Sequence, residues 1–595
     1  IIPDAKFTGY GYNSTNEALL RNWYITLSPI YNKKWRNYSN LNLNDNSIQA
    51  AEYKVKIKAP NGITVQSNLK KNKSENGVNY FSSKSSREVL VYFTQKNPFQ
   101  ILKINNDRTL LTNIFRYPGY EDHSIDKAKR IDDFVTKAFD FRGENKFLIP
   151  VLVYDNNPFF GLNDLPKFLA PFNNSFLEEI SFLKSYLHFY LSNNLIIDLR
   201  QDHWIIGGLQ TYLMIKYIET YYPKEKYLGR IGDFRLMKAY TLADIDFNES
   251  FWMYYEFMER ANLQQSDLLP KDQLVKFNEK IGSPYHVGVG LRYIEHYIGK
   301  ESFDKALKEY LNQDGKDFDL IALLKKYSPK NIDWFKGFYL KERTPTDIKI
   351  KGVKRNKDSI VVNLTKNSEN NIPFLLSQVK GDVILEEQWI ENMGTSSSVT
   401  LNNLDPDFIA INPEIRLPET DKNNNWRYIK NFLNLKPIQF NFLRDYQSPK
   451  RNQFYYNPVV NYNLYDGLSP GSRFYNKGLL IQKFTFELMP QYSSLQNDLV
   501  GKVKMSYRLN NIGKSNYVTS FNFFGSSYHY FENLRYQVIN PGVNFLFRTA
   551  DFRSNKRSAL SLYYYSVKRD SPPDPITTPN YELFYLRFIN SNRGA

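Results

Sequence analysis

The sequence predicts a multidomain α+β protein that opens with strands, continues with helices and ends in a long antiparallel β region. Three patterns carry that expectation. Near the N-terminus Tyr53, Val55 and Ile57 alternate with Lys54, Lys56 and Lys58, the two-residue period of a half-buried strand. Between residues 98 and 343 apolar side chains recur at three- and four-residue intervals, the period of amphipathic helices. From about Lys436 onward, segments of roughly ten residues alternate apolar with polar residues and are broken by Asn, Asp, Gly and Pro, the pattern of transmembrane β-barrel strands.

Residues 1–97 are expected to form a β-rich domain, with a turn at Pro60-Asn61-Gly62 and a second strand at Glu88 to Thr94. Helices are expected at Phe176 to Leu191, Trp204 to Thr220, Glu249 to Ala261, Leu274 to Lys280, Val287 to Ile298 and Phe303 to Leu311, with stops at Gly299 and Gly315. Residues 344–418 change character. Short strands are expected around Ile348, Ile350 and Val353, at Ile360 to Val362, at Val399 to Leu401 and at Phe408 to Ile411. Residues 419–435 begin with the polar run Glu419 to Asn425 and read as a linker.

Residues 436–595 are expected to supply the barrel, with about eight strands between Asn452 and Ile589. Phe484, Phe486 and Leu488 alternate with Lys483, Thr485 and Glu487; Val503, Met505, Tyr507 and Leu509 alternate with Lys502, Lys504, Ser506 and Arg508; Val543, Phe545 and Phe547 alternate with Asn544, Leu546 and Arg548. Asp466-Gly467 and Asn511 to Gly513 are the expected tight turns. A soluble sandwich would alternate too. Strand length near the roughly 9 to 11 residues that a bilayer needs, aromatic clusters such as Tyr563-Tyr564-Tyr565 and a cationic alternate face favour the barrel. The final residues, Asn592 to Ala595, do not close a last strand on an aromatic residue, so the barrel is expected to be partial.

Composition narrows the partners. A length of 595 residues suits roughly three or four domains. A net charge of +17 calls for anionic surroundings. No nucleic-acid motif or basic run accompanies that charge, so nucleic acid is not an expected partner, whereas phosphate-bearing outer-membrane lipid is. No apolar stretch reaches about 18 residues, so no transmembrane helix is expected. The start, Ile1-Ile2-Pro3-Asp4, is neither a signal peptide nor an initiating Met, and the chain is expected to begin inside a longer precursor. With no cysteine, disulfides and thiolate zinc sites are excluded.

The most informative motif lies between Lys184 and Tyr212. His188 is followed by Asn193, and after 18 intervening residues Gly207 stands in the run Trp204-Ile205-Ile206-Gly207-Gly208-Leu209-Gln210-Thr211-Tyr212. This frame resembles the aminopeptidase N family of zinc peptidases, the gluzincins, whose pattern is HExxHxxxxN followed by a Glu inside WxxEGxxTY. His188, Asn193, Trp204, Gly208, Thr211 and Tyr212 fit it; the first His position holds Lys184, the Glu position Ser185 and the third-ligand position Gly207. Residues 277–311 resemble a further helix pair of the family. There the position of its oxyanion-stabilising Tyr is held by Asn278, Glu279 and Lys280 are kept, and Ile281 is one residue in excess before Gly282. The substrate-anchoring GxMEN segment has no match; only Asn156 to Asp164 (NNPFFGLND) lies in the right region.

The resemblance implies a thermolysin-like helical peptidase domain over 98–343. It implies that 1–97 is the remainder of a β-rich N-terminal domain and that 344–418 is a small immunoglobulin-like β-sandwich. The segment 457–476, NPVVNYNLYDGLSPGSRFYN, resembles the first hairpin of outer-membrane barrels fused to peptidase-like domains in Bacteroidota envelope proteins.

The replacements remove the chemistry. Two imidazoles at i and i+4 on one helix face converge on a zinc ion, and a catalytic zinc takes three protein ligands plus a water. Only His188 remains of the three. Lys184 sets a cation where the metal would sit, Ser185 cannot act as the general base, and Gly207 has no side chain. An amide at 278 in place of a phenol weakens oxyanion stabilisation. Of the six histidines, His123, His188, His203, His286, His296 and His529, no two are four apart. No catalytic residue, no metal and no cofactor are therefore expected, with His188 vestigial.

The expected function is that of an outer-membrane protein of a Gram-negative, Bacteroidota-type envelope. Its inactive metallopeptidase-like domain would serve as a scaffold or binding module, partnered by other envelope proteins in an assembly or secretion complex. Its soluble domains would lie in the periplasm or at the cell surface. Two alternatives stay open. One is an active zinc-dependent aminopeptidase with a rearranged site, drawing ligands from Glu178, Glu179, Asp198 or Asp202. The other is a peptide-binding receptor or transporter that uses the old cleft.

Overall fold

The structure is a computed structural model, and it describes residues 11–12, 17–21, 23–31, 34–37, 49–95, 99–105, 108–114, 124–139, 146–150, 172, 174–195, 197–312, 319–342, 346–414, 417, 419, 421–570 and 580–592. It is a multidomain α+β protein. Among the described residues the α-helices are α1 (Ser124–Phe139), α2 (Asn174–Asn194), α3 (His203–Tyr221), α4 (Thr241–Asp244), α5 (Glu249–Arg260), α6 (Ser283–Ile298), α7 (Lys300–Leu311) and α8 (Leu320–Tyr327). The chain divides into two compact units. The first comprises Ile1–Glu225, Asp267–Asp272 and Glu279–Lys336; the second comprises Lys226–Ser266, Gln273–Asn278 and Gly337–Ala595. The stretch expected as one helical domain, 98–343, is thus shared between them, with α4 and α5 in the second unit.

In the first unit, Ala51–Lys58 pairs with Val78–Ser86, which pairs in turn with Lys70–Glu75. Tyr53, Val55 and Ile57 pack on a core of Val65, Leu69, Phe81, Val89 and Val91, as their alternation requires. The second expected strand begins only at Val91. Ahead of it, Glu88 pairs with Arg21 at 2.7 Å, and Asn68 takes up the carbonyl of Glu88 and the N–H of Leu90. Side chains there do the work of a ladder. Leu19, Leu90, Tyr92, Phe99, Leu111 and Leu148 form a further core against which Phe189 of α2 packs.

The helices of this unit follow the apolar periods. α3 is buried along nearly its whole length, from His203 to Ile218, and a helix apolar on all sides belongs at the centre of a bundle. α6 ends at Gly299, whose φ of 89° favours a residue without a Cβ. Gly315 lies outside the described residues. Of the expected helix at Leu274 to Lys280, residues 276–280 are helical and run through a π-turn, Asn278–Gly282, into α6; a short 3₁₀ turn, Lys271–Gln273, precedes the span.

In the second unit, seven strands form two facing sheets. Ile348–Arg355, Ser359–Lys366 and Ser396–Asn402 make one; Val383–Ile390, Phe374–Lys380, Phe408–Ile411 and Trp426–Tyr428 make the other, in that order. One core of Ile348, Ile350, Ile360, Val362, Phe374, Leu376, Ile409 and Ile411 draws on both. The last of these strands lies inside 419–435, the stretch expected to be a linker, and pairs with residues 408–410.

Residues 438–592 form a nine-stranded sheet. Eight antiparallel strands run Asn452–Asn463, Gly467–Tyr475, Phe484–Ser493, Asp498–Asn510, Asn516–Phe531, Leu534–Arg548, Lys556–Arg569 and Tyr581–Asn592. Ile438–Phe442 adds to the first of them in parallel. The sheet is open: Ile438–Phe442 forms one edge and Tyr581–Asn592 the other. The two faces differ as the alternation demands. Phe484, Leu488, Met505, Tyr507, Phe521 and Phe523 are exposed. On polar positions Glu487 pairs with Arg473 and with Lys504 (3.8 Å), and Ser506 donates to Asn522 (2.9 Å).

The α4–α5 segment is fastened at the sheet end that carries loops 443–451, 476–483, 511–515 and 549–555. Asp445 accepts from the backbone N–H groups of Thr241 (2.7 Å) and Leu242 (3.0 Å). Arg260 donates to the carbonyl of Ile481 (3.1 Å), Asn262 to that of Tyr517 (2.8 Å), and Arg548 to that of Asn262 (2.5 Å).

Candidate pseudo-active site

The motif residues lie on α2 and α3, in the first unit. α3 approaches α6 so closely that each helix needs a glycine. A Cβ on Gly208 would fall 2.2 Å from Val287 Cγ1, and one on Gly288 would fall 2.4 Å from Thr211 Cβ; both distances are below any ordinary contact. Gly208 and Thr211, two residues of the family-like frame, are thus explained by helix packing. Tyr212, also in the frame, packs against Phe303 with ring centroids 5.0 Å apart and planes tilted by 48°. Asn193 donates to the carbonyl of Phe189 one turn back (3.0 Å). Gln210 ties α3 to α2 through a hydrogen bond to the Lys184 carbonyl (2.6 Å).

Lys184 and His188 stand one turn apart on α2. Lys184 is half-buried. Burial, then the charge of Lys280, lowers its ammonium pKa to about 8. The ring of His188 reaches solvent but sits among crowded protein atoms. That crowding first, then the charges of Lys271, Arg21 and Lys184, holds its imidazolium pKa well down, so the ring is neutral near pH 7. The surroundings are cationic where a metal site would place carboxylate and imidazole donors. Ser185 is buried, and its Oγ has no hydrogen-bond partner.

Gly207 is backed by Pro284 at the start of α6. A Cβ there would lie 2.9 Å from Pro284 Cγ and 3.0 Å from its Cβ. A ligand-bearing side chain at this position therefore needs the proline to shift.

Of the four carboxylates that a rearranged site would draw on, Glu178, Glu179 and Asp198 are engaged elsewhere. Glu178 pairs with Lys127 at 3.8 Å. Glu179 is fully buried and binds Arg130, Tyr217 and Tyr222. Asp198 accepts from the N–H groups of Arg200 (3.0 Å) and Gln201 (3.2 Å). Asp202 stands at the N-terminus of α3. Among the described residues no group of three or more His, Cys, Asp or Glu side chains is placed to hold a metal ion. These residues do not fit a catalytic zinc, which takes three protein ligands.

Asn278 belongs to the second unit and is buried. Its amide donates to the carbonyl of Leu263 (2.8 Å) and to Gln265 Oε1 (3.0 Å), so the side chain braces a loop. Residues 156–164 lie outside the described residues.

The motif reading missed two histidine contacts of the first unit. His286 of α6 bonds Asp267 at 2.6 Å, both buried, and His203 donates from Nε2 to the Leu269 carbonyl at 2.9 Å. They clamp residues 267–272 onto α3 and α6. No spacing rule links His286 to Asp267 in sequence, so only the fold reveals the pair.

No family model matches the chain, and no curated protein matches it. Similar solved structures include aminopeptidase A of Legionella pneumophila, at 13% identity and TM-score 0.45 over 62% of this chain and 44% of that one. They also include an M1 zinc metallopeptidase from Deinococcus radiodurans (13%, TM-score 0.34, 51% and 66%) and yeast LTA4 hydrolase (14%, TM-score 0.34, 50% and 48%). The chain spans less than half the length of the Legionella enzyme. All three TM-scores lie below 0.5, so the likeness by itself assigns neither family nor activity.

Proposed function

We propose that this is a non-enzymatic outer-membrane protein whose peptidase-derived helical domain serves as a scaffold or binding module for other envelope proteins. The observation that carries the reading is the backing of Gly207 by Pro284. The third-ligand position is not merely empty; the neighbouring helix fills the space a ligand side chain would need. Lys184 and Ser185 at the first-ligand and base positions point the same way. The glycine-to-side-chain fit between α3 and α6 supplies a structural reason for the rest of the motif to persist.

The membrane part of the proposal rests on the nine-stranded sheet. Its eight antiparallel strands, their exposed aromatic face and their paired polar face are what part of an outer-membrane barrel requires. The two facing sheets at 348–428, with the first, second and fifth strands in one and the others in the second, support an immunoglobulin-like module between the helices and the barrel. The +17 net charge suits a phosphate-bearing membrane of a Gram-negative envelope.

The test is an assay of the purified full chain against aminoacyl and dipeptide substrates with excess zinc. No turnover above the uncatalysed rate is expected. Saturable hydrolysis abolished by a chelator would establish an active peptidase with a rearranged site.

A further inference from the structure

Two segments of the second unit, far apart in sequence but hydrogen-bonded to each other, expose large apolar side chains to solvent. In the first, Phe234 and Leu236 are 62% and 83% exposed. In the second, Phe432 is 99% exposed, and Leu433, Leu435, Ile438, Phe440, Phe442 and Leu443 are each 47–64% exposed. The segments are joined directly: Gln439 donates to the Ala239 carbonyl at 3.3 Å, and the Tyr240 hydroxyl donates to the Phe442 carbonyl. Contiguous apolar exposure of this kind marks an interaction surface.

Two further observations say what covers it. The second segment is continuous with the exposed apolar face of the large sheet, because Phe440 stacks on Phe454 (5.8 Å), Phe454 meets Phe486 (6.0 Å) and Phe442 meets Tyr456 (5.9 Å). The two segments are also flanked by exposed cations, Arg230, Arg235, Lys238 and Arg444. Apolar side chains ringed by Lys and Arg, at the rim of a membrane-facing sheet, suit the boundary between acyl chains and anionic headgroups. We propose that Phe234–Lys238 and Phe432–Arg444 form one interfacial docking surface for a bilayer bearing phosphate-rich lipid, seating the α4–α5 segment against the membrane. This rests on the outer-membrane reading and adds to it a second, shallower zone of lipid contact outside the strands.

The chain has no cysteine, so single-cysteine variants can be spin-labelled without background. Phe432→Cys and Leu236→Cys would be compared with Phe521→Cys, on the exposed face of strand Asn516–Phe531. All three are reconstituted as full chains in phosphatidylcholine–phosphatidylglycerol vesicles and probed with oxygen and a water-soluble nickel chelate. Labels at 432 and 236 are expected to favour oxygen over the chelate, at a depth of about 5–10 Å, shallower than the label at 521. Preference for the chelate at 432 and 236 with oxygen preference at 521 would overturn the docking surface and leave the membrane-spanning sheet intact. Preference for the chelate at all three sites would overturn both. Immobile labels at 432 and 236, shielded from both reagents, would show a protein covering and overturn the lipid assignment.

Discussion

Lys184 sits in surroundings that disfavour its charge. Its ammonium is half-buried near Lys280, and its pKa falls from an ordinary value of 10.5 to about 8. A lysine depressed in the folded state costs stability wherever both states are protonated, that is below about pH 8. Between about 8 and 10.5 the unfolded chain binds more protons than the folded one, so the cost fades as pH rises. Lys184→Met is therefore expected to raise Tm at pH 7, with the gain shrinking toward pH 10; a gain of equal size at both pH values, or a loss, would contradict this origin. The identities at 184, 185 and 207 were legible from the spacing around His188. The closure of the 207 position was not, because Pro284 is 77 residues away in sequence and reaches Gly207 only through the packing of α6.

At the scale of elements, the α3–α6 contact accounts for Gly208 and Thr211 by packing alone. Gly208 admits Val287, and Gly288 admits Thr211. Gly288→Ala is expected to destabilise the fold by about 1–3 kcal/mol through overpacking, read as a lower urea midpoint at unchanged m-value; an unaltered midpoint would mean the helices separate easily. Helices with a clean apolar period were readable, and α2, α3, α5 and α6 enclose or overlap the expected spans. At Leu274 to Lys280 the chain is helical only from residue 276, and it runs through a π-turn rather than a regular α-helix. Ile281 falls inside that π-turn, a rare form that occurs mostly as a single turn within an α-helix. Strand expectations failed where side chains replace backbone pairing, as at Glu88 to Leu90 beside Asn68.

Across the whole molecule, two parts of one chain carry different kinds of evidence. The second unit's alternation was legible because apolar and polar positions repeat every two residues, and eight strands fall between Asn452 and Asn592. Its use of α4 and α5 was not legible. Their docking depends on single contacts between remote residues, such as Asn262 with Tyr517 and Arg548, and Asp445 with Thr241 and Leu242. In the first unit the closure at Gly207 is local and steric, set by one glycine and one proline. The most direct test is zinc binding by the full chain, purified from membranes and measured by metal mass spectrometry and calorimetry. Less than a tenth of an equivalent of zinc and no tight binding are predicted; one equivalent bound tightly, lost on Lys184→Ala or His188→Ala, would contradict the claim that the metal chemistry is gone.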